Sequence, residues 1–430
     1  MAYYDSLTGL YNRNYFVRIL SEWVRKAQTE KATIDVLCIR MDDFKRINDS
    51  MGMIAGDEIL QAFGLFLRDL QSEDIIVSHF NDDIYYLAIY NPYGNHNVDA
   101  VYRKIGQRTE QPFQMMGNIE QKITVSIGVA NYPESARNSL EIINCAEIVQ
   151  SQKKESGTNS IAYFEAPILT DFIENIQIEN KLKEAIEDHA FELYYQPQYD
   201  AGSKKLRGVE ALIRWRGQDG KFVSPAVFIP LAEKDGLIVQ IGNWVLEEGI
   251  RVYADWYRKY GYPMVLSLNI SALQYKKADF VHHLLVLIEK YQVDPALIEL
   301  EITESVLIED FNSVVDKLNT LKEYGIKISL DDFGTGFSSL SYLKGLPIDT
   351  LKIDKSFIDT VINDHPTRVI TESIIAMVKK LGCETVAEGV ETQEQYDYLK
   401  AVNCDNIQGF LLGKPMPAEG VEKILSSIKK

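Results

Sequence analysis

Cysteine is scarce in this 430-residue chain: Cys38, Cys145, Cys383 and Cys404 lie far apart, with no C-x-x-C pair. That excludes a disulfide framework and a cysteine-ligated zinc site, and leaves four thiols that act as small apolar side chains. Long apolar runs are missing too. No segment approaches the roughly 18 apolar residues that cross a bilayer. The opening MAYYDSLTGLYNR lacks the apolar core of a secretion signal, so a cytoplasmic location is expected. Positive charge is outnumbered, with 45 Lys and Arg against 62 Asp and Glu and a formal net charge of -17. A protein that follows a nucleic-acid polymer needs a basic stripe, so that class is excluded, while local basic groups could still hold a small nucleotide. What the chain does have is apolar residues, 46% of the total, enough for two or three domains with full cores.

The polar stretch KKESGTNS, Lys153 to Ser160, ends one helical pattern. After Pro167 a new one begins, with Phe172, Ile176, Leu182 and Ile186 on a single apolar face. The expected division is therefore a first domain over 1–165, a linker over 166–177 and a second domain over 178–430. In the first, strand IDVLCIRM precedes a helix after FKRINDSMG. A hairpin of DIIVSHF and IYYLAIY turns at Asn81-Asp82-Asp83, and strand KITVSIGVA lies between helices over 99–110 and 138–153. This order predicts an α+β domain with a mostly antiparallel sheet.

The second half predicts eight strands: ELYYQPQY, LRGVEALIRW, VLSLNI, LIELEI, IKISL, DTLKI, ETVAEG and NIQGF. Helical segments separate them from the second strand onward, but only about six residues join the first two, too few for a parallel crossover. The expectation is an α/β barrel close to (β/α)8 whose first strand runs antiparallel to the second.

These strands deliver polar residues to one end: Glu210, Asn269, Glu301, Asp331 with Asp332, Lys352, Asp354 and Glu388. A lone acid after a strand is most often a helix N-cap or a solvated loop residue. So many at the end where barrel active sites lie need another reason. Adjacent carboxylates repel, and burying Asp331 and Asp332 near further acids is unfavourable unless cations neutralise them. Oxygen ligands without His or Cys suit magnesium or manganese, and two such ions stabilise the attacking and leaving oxygens of phosphodiester hydrolysis.

The motifs YYQPQ, EALIRW, NIS, LEITES, DDFGTGFSSL, LKIDKSF, AEGVE and QGFLLGKPM, in this order over about 178–425, make the half resemble the EAL family of cyclic di-GMP phosphodiesterases. The resemblance implies a metal held by Glu210, Asn269, Glu301 and Asp331, and a second shared by Asp331 and Asp332, the ions being Mg2+ or Mn2+. It implies that Lys352 positions or polarises the nucleophilic water and that Glu388 acts at the second metal or as general base. Arg214 would meet a substrate phosphate, Gln196 and Gln408 would line the pocket, and Glu304 and Glu391 would support the metal-site loops. It further implies a homodimer through the barrel. RWRGQDG and Phe337 depart from the usual pattern without touching a ligand. A non-catalytic cyclic di-GMP receptor is the alternative; receptors usually have a broken ligand set, and here the set is complete.

The first half resembles the GGDEF diguanylate cyclase family, with a nucleotidyl-cyclase-like fold, through YDSLTGLYNR, DDFKRINDSMG, AGDEIL, TVSIGVA and KKESGTN. At the chemistry the pattern fails. The first metal-binding acid is replaced by Arg40, although Asp42 remains, and the Gly-Gly-Asp-Glu-Phe turn reads Phe80-Asn81-Asp82-Asp83-Ile84. A fixed cation where a cation was bound, and side chains where glycines let backbone approach a nucleotide, predict no cyclase activity. Asn48 and Asp57 match the guanine-reading positions, and Phe44, Lys45 and Lys154 the phosphate-facing ones, which implies GTP binding without turnover; ordinary helix capping by Asn48 and Asp57 is the competing explanation. The inhibitory product site reads Gln71-Ser72-Glu73-Asp74, without its Arg, and is expected not to hold product.

Overall fold

The computed structural model describes residues 3–92, 98–115, 119–153, 160–217, 220–303, 306, 311–333 and 345–428. They form two compact units, Met1–Ile176 and Gln177–Lys430. The stretch expected as a linker, 166–177, belongs to the helix Ala166–Glu187.

In the first unit β1 (Thr33–Met41) is central. It pairs antiparallel with β3 (Ile84–Asn91) and with β6 (Val125–Tyr132). Outside these lie β2 (Ile75–Asn81) against β3 and β7 (Ile161–Tyr163) parallel to β6; β4 (Phe113–Met115) and β5 (Ile119–Gln121) form a separate hairpin. Alternation along β1 sends Leu37, Ile39 and Met41 to one core with Ile59 and Phe63. Val36 and Cys38 go to a second core with Phe16 and Leu20 of helix Arg13–Glu30. Between β2 and β3 the chain turns on Asp82, at φ 47°, a left-handed conformation that Asp tolerates better than most side chains. His79 braces the turn: Nδ1 lies 3.0 Å from Asp5 Oδ1 and Nε2 lies 2.9 Å from the Asp82 carbonyl.

In the second unit the strands are β8 (Phe191–Asp200), β9 (Leu206–Arg216), β10 (Phe222–Val223), β11 (Val265–Ile270), β12 (Ile298–Thr303), β13 (Lys327–Phe333), β14 (Thr350–Ile353), β15 (Glu384–Ala387) and β16 (Asn406–Gln408). From β9 through β11 to β16 every neighbour is parallel. Strand β8 then closes the barrel, antiparallel to both β16 and β9. Gly208 is needed on β9, because a Cβ there would collide with the Val265 carbonyl on β11.

Inside, at the start of the parallel strands, Arg207 grips the fully buried Glu299, with Nη2 to Oε2 at 2.7 Å and Nη1 to Oε1 at 3.2 Å. Thr350 and Ser267 donate hydroxyls to the same carboxylate. Burial alone would raise the Glu299 carboxyl, but Arg207 and these hydroxyls outweigh it and hold it below the ordinary range. This polar plug seals one end of the barrel and leaves the other for chemistry.

Candidate active site

At the open end the acids converge on Lys352 of β14, a side chain 1% exposed. Its Nζ lies 2.7 Å from Glu301 Oε2, 2.7 Å from Glu388 Oε1, 3.2 Å from Asp331 Oδ1 and 3.6 Å from Glu210 Oε2. Strand register brings them together. Asn269 stands opposite Glu301, and Asp331 opposite Thr303, while Glu388 directly follows β15. Glu210 sits in the middle of β9, which ends one residue past the expected LRGVEALIRW because Trp215 and Arg216 pair with β10. Asp331 and Asp332 do not follow a strand but lie in β13, where the register shifts between Leu330 and Phe333; such an irregularity re-aims the side chains it carries.

Amides orient Glu210. Asn269 donates to Oε1 at 2.7 Å and Gln408 to Oε2 at 2.6 Å, and Gln408 also donates to Gln196 at 3.2 Å. Gln198, which the sequence reading passed over, donates to Gln408 at 2.9 Å and accepts from Arg207 at 2.7 Å, linking plug and site. Its signal was available: Gln196 and Gln198 alternate onto one face of YYQPQ. Arg214 and Asn269 line a cavity of about 410 Å³ whose apolar wall includes Ile229 and Ile241 and whose rim carries Glu233. A second cavity of about 350 Å³ is lined by Gln196, Lys352, Glu388, Glu391, Gln408 and Phe410. Glu210 and Asp331 border both. Glu391 reaches Lys355 Nζ at 2.8 Å on the rim. Glu304 and the Asp332 side chain lie outside the described residues, as does most of DDFGTGFSSL.

Electrostatics divide the acids. Burial pushes Glu210 up, but Lys352 and the hydrogen bonds from Gln408 and Asn269 outweigh it and hold the carboxyl below the ordinary range. Glu301 goes well above that range, through burial and the negative charge of Glu210. Glu388 is pushed up to about 8, by burial and then by Asp331 and Glu210 against the opposing charge of Lys352. Burial disfavours the Lys352 ammonium, but its acidic neighbours reverse this and keep it protonated. With all four acids ionised one ammonium could not balance them, which is why Glu301 and Glu388 hold their protons, and Glu301 Oε1 accepts no hydrogen bond among the described residues. Among those residues no three acids, histidines or cysteines are gathered as a metal cluster, the ammonium standing between them. An orphaned oxygen and an excess of buried negative charge are nevertheless what hard divalent cations relieve, so the donor set fits them.

In the first unit Arg40 Nε donates to Asp83 Oδ2 at 3.0 Å, and buried Asp42 accepts from Ser126 Oγ at 2.7 Å. Phe44 is buried, Lys45 and Asp57 are exposed, and Asn48 Oδ1 is enclosed without a partner. Lys154 lies outside the described residues. A guanidinium bonded to Asp83 does not fit a metal at that acid, since two cations would compete for one carboxylate.

A barrel closed by one antiparallel strand, with carboxylates and a lysine at its open end, defines an α/β-barrel enzyme class suited to hard cations. The chain belongs to the EAL domain family, whose model matches residues 179–415, and the "Diguanylate cyclase, GGDEF domain" model matches residues 2–160. The signaling protein YkoW of Bacillus subtilis is 36% identical over 99% of this chain and 53% of its own length. The bifunctional diguanylate cyclase/cyclic di-GMP phosphodiesterase MucR of Pseudomonas aeruginosa is 34% identical over 100% of this chain and 62% of its own, and the cyclic di-GMP phosphodiesterase NbdA of that species is 32% identical over 100% and 54%. The chain thus spans little more than half the length of these relatives. Among solved structures, the PaMucR phosphodiesterase in complex with c-di-GMP is 41% identical, covers 57% of this chain and 99% of that one, and has a TM-score of 0.55. An EAL domain protein from Listeria monocytogenes is 30% identical over 57% and 97%, at a TM-score of 0.51. No helix of the described residues is long and apolar enough to cross a membrane.

Proposed function

We propose that the barrel hydrolyses cyclic di-GMP to linear pGpG, and that the first domain binds GTP without turning it over and regulates the barrel. The observation that carries the first part is the cluster around Lys352, with more buried carboxylate than its ammonium can balance. Glu210, Asn269, Glu301, Asp331 and Asp332 are the residues that would hold two divalent cations, Mg2+ or Mn2+. Bound there, such ions supply charge neutralisation at the phosphate and lower the pKa of an attacking water. Arg214, at the edge of the larger cavity, pairs with a phosphate oxygen. Lys352 fixes the spacing of the acids and orients the water. Glu388, beside Lys352 and open to the smaller cavity, takes the proton of that water as its oxygen bonds to phosphorus. The bond from phosphorus to the ribose 3′ oxygen breaks, and the released oxygen takes a proton from solvent water to become a hydroxyl, Glu388 returning its own proton to solvent. Homodimerisation through the barrel belongs to the same proposal.

Incubation with cyclic di-GMP and either ion, followed by chromatographic product analysis, tests the reading. pGpG is expected; no turnover with either ion alongside tight binding would make the barrel a receptor. Absence of cyclase activity is expected on the ion pair of Arg40 with Asp83, and GTP binding on the enclosed, unpartnered oxygen of Asn48.

A further inference from the structure

We propose that Arg40 stands in for a divalent cation in the first domain, so that it holds a nucleoside triphosphate without metal. This rests on the GTP-binding reading above. Arg40 and Asp83 meet because β1 and β3 pair with Arg40 opposite Ile84, which sets the guanidinium beside the residue that precedes Ile84. The pair is lopsided in exposure: the Arg40 side chain is 35% exposed and that of Asp83 11%. The acid is therefore neutralised from within, while the cation keeps one edge toward solvent. A guanidinium carries five N–H donors, and among the described residues only Nε is engaged. The remaining edge is a planar fork that suits phosphate oxygens.

Neighbouring groups share that preference. The helix Phe44–Met51 begins close after β1, and Asp43 makes no side-chain bond to its first N–H groups. Lys45 is exposed in its first turn. Asp42, which could otherwise draw a cation, is buried and accepts the Ser126 hydroxyl. The site thus offers two cations, Arg40 and Lys45, and no vacant acid pair to recruit a metal, since Asp83 is bonded to Arg40 and Asp42 to Ser126. A triphosphate that elsewhere arrives neutralised by magnesium would here meet guanidinium, ammonium and helix N–H groups directly.

Calorimetric titration of GTP into the full chain, once with excess EDTA and once with excess Mg2+, decides the matter. Dissociation constants that agree within about threefold are expected. Arg40→Ala is expected to weaken binding in EDTA by about tenfold or more, as loss of a charged hydrogen bond does. Arg40→Asp, which restores an acid, is expected to bind only when Mg2+ is present, and Arg40→Lys to bind without metal. Binding by the unaltered chain only with Mg2+ would overturn the inference and leave GTP binding standing. No heat in either buffer would remove the GTP reading itself, and this inference with it.

Discussion

Glu301 carries two opposed demands on one carboxylate. It is buried, its Oε1 has no partner among the described residues, and Glu210 and burial together push its pKa well above the ordinary range. An acid with a raised folded-state pKa binds protons more tightly folded than unfolded, so its ionised form costs stability at neutral pH. Glu301→Gln removes that charge at constant shape. It is expected to cut cyclic di-GMP turnover by about a hundredfold, as loss of a metal-site group does, while raising the melting temperature in EDTA. A fall of several degrees in EDTA would mean that the bond from Lys352 to Glu301 stabilises the barrel more than the crowding costs. The acids themselves were readable in the sequence because each lies in or just after an apolar run. Their meeting point was not, since three residues on three strands and one just after a fourth reach one Nζ only through strand register. Arg40 was legible as a misplaced cation, but its bond to Asp83 depends on how β1 pairs with β3.

At the scale of elements, the eight barrel strands were legible because strands buried on both faces read as nearly continuous apolar runs. The end of β13 was less so: the strand runs on through Asp331 and Asp332 to Phe333, and its register shift leaves no compositional mark. Arg207 was also silent, since an Arg early in LRGVEALIRW reads as solvent-facing, whereas it is buried against Glu299. Arg207→Met leaves that carboxylate buried and unpaired, at an expected cost of about 3–5 kcal/mol. Arg207→Met with Glu299→Met is expected to recover most of the loss, because neither charge is then stranded; denaturant unfolding of both variants checks this. Glu299 is held below its ordinary pKa, so its contribution is present above about pH 4.5 and is lost as pH falls through the lower folded value. The gap in stability between unaltered chain and double variant is accordingly expected to narrow on acidification. A gap that widens below pH 4 would contradict the sign.

Taken whole, the molecule has separate cores on the two faces of the first sheet and another in the barrel, in units divided within one helix. Units with their own cores unfold as their own transitions, and a ligand stabilises only the unit that binds it. Calorimetric melting in EDTA is therefore expected to resolve two transitions. A cation at about a hundred times its dissociation constant adds about 2.7 kcal/mol, which for a unit of the barrel's size is a rise of roughly 5–10 °C. Mg2+ or Mn2+ is expected to move the barrel transition by this order and to leave the other within about a degree, since the first unit meets the metal with Arg40 already bonded to Asp83. GTP is expected to do the reverse. The same scans on Glu210→Ala, which removes an acid shared by both cavities, should lose the cation shift but retain the GTP shift. A cation shift that survives in Glu210→Ala would place the metal elsewhere, and one that appears in both transitions would mean that Arg40 does not keep divalent ions out of the first domain.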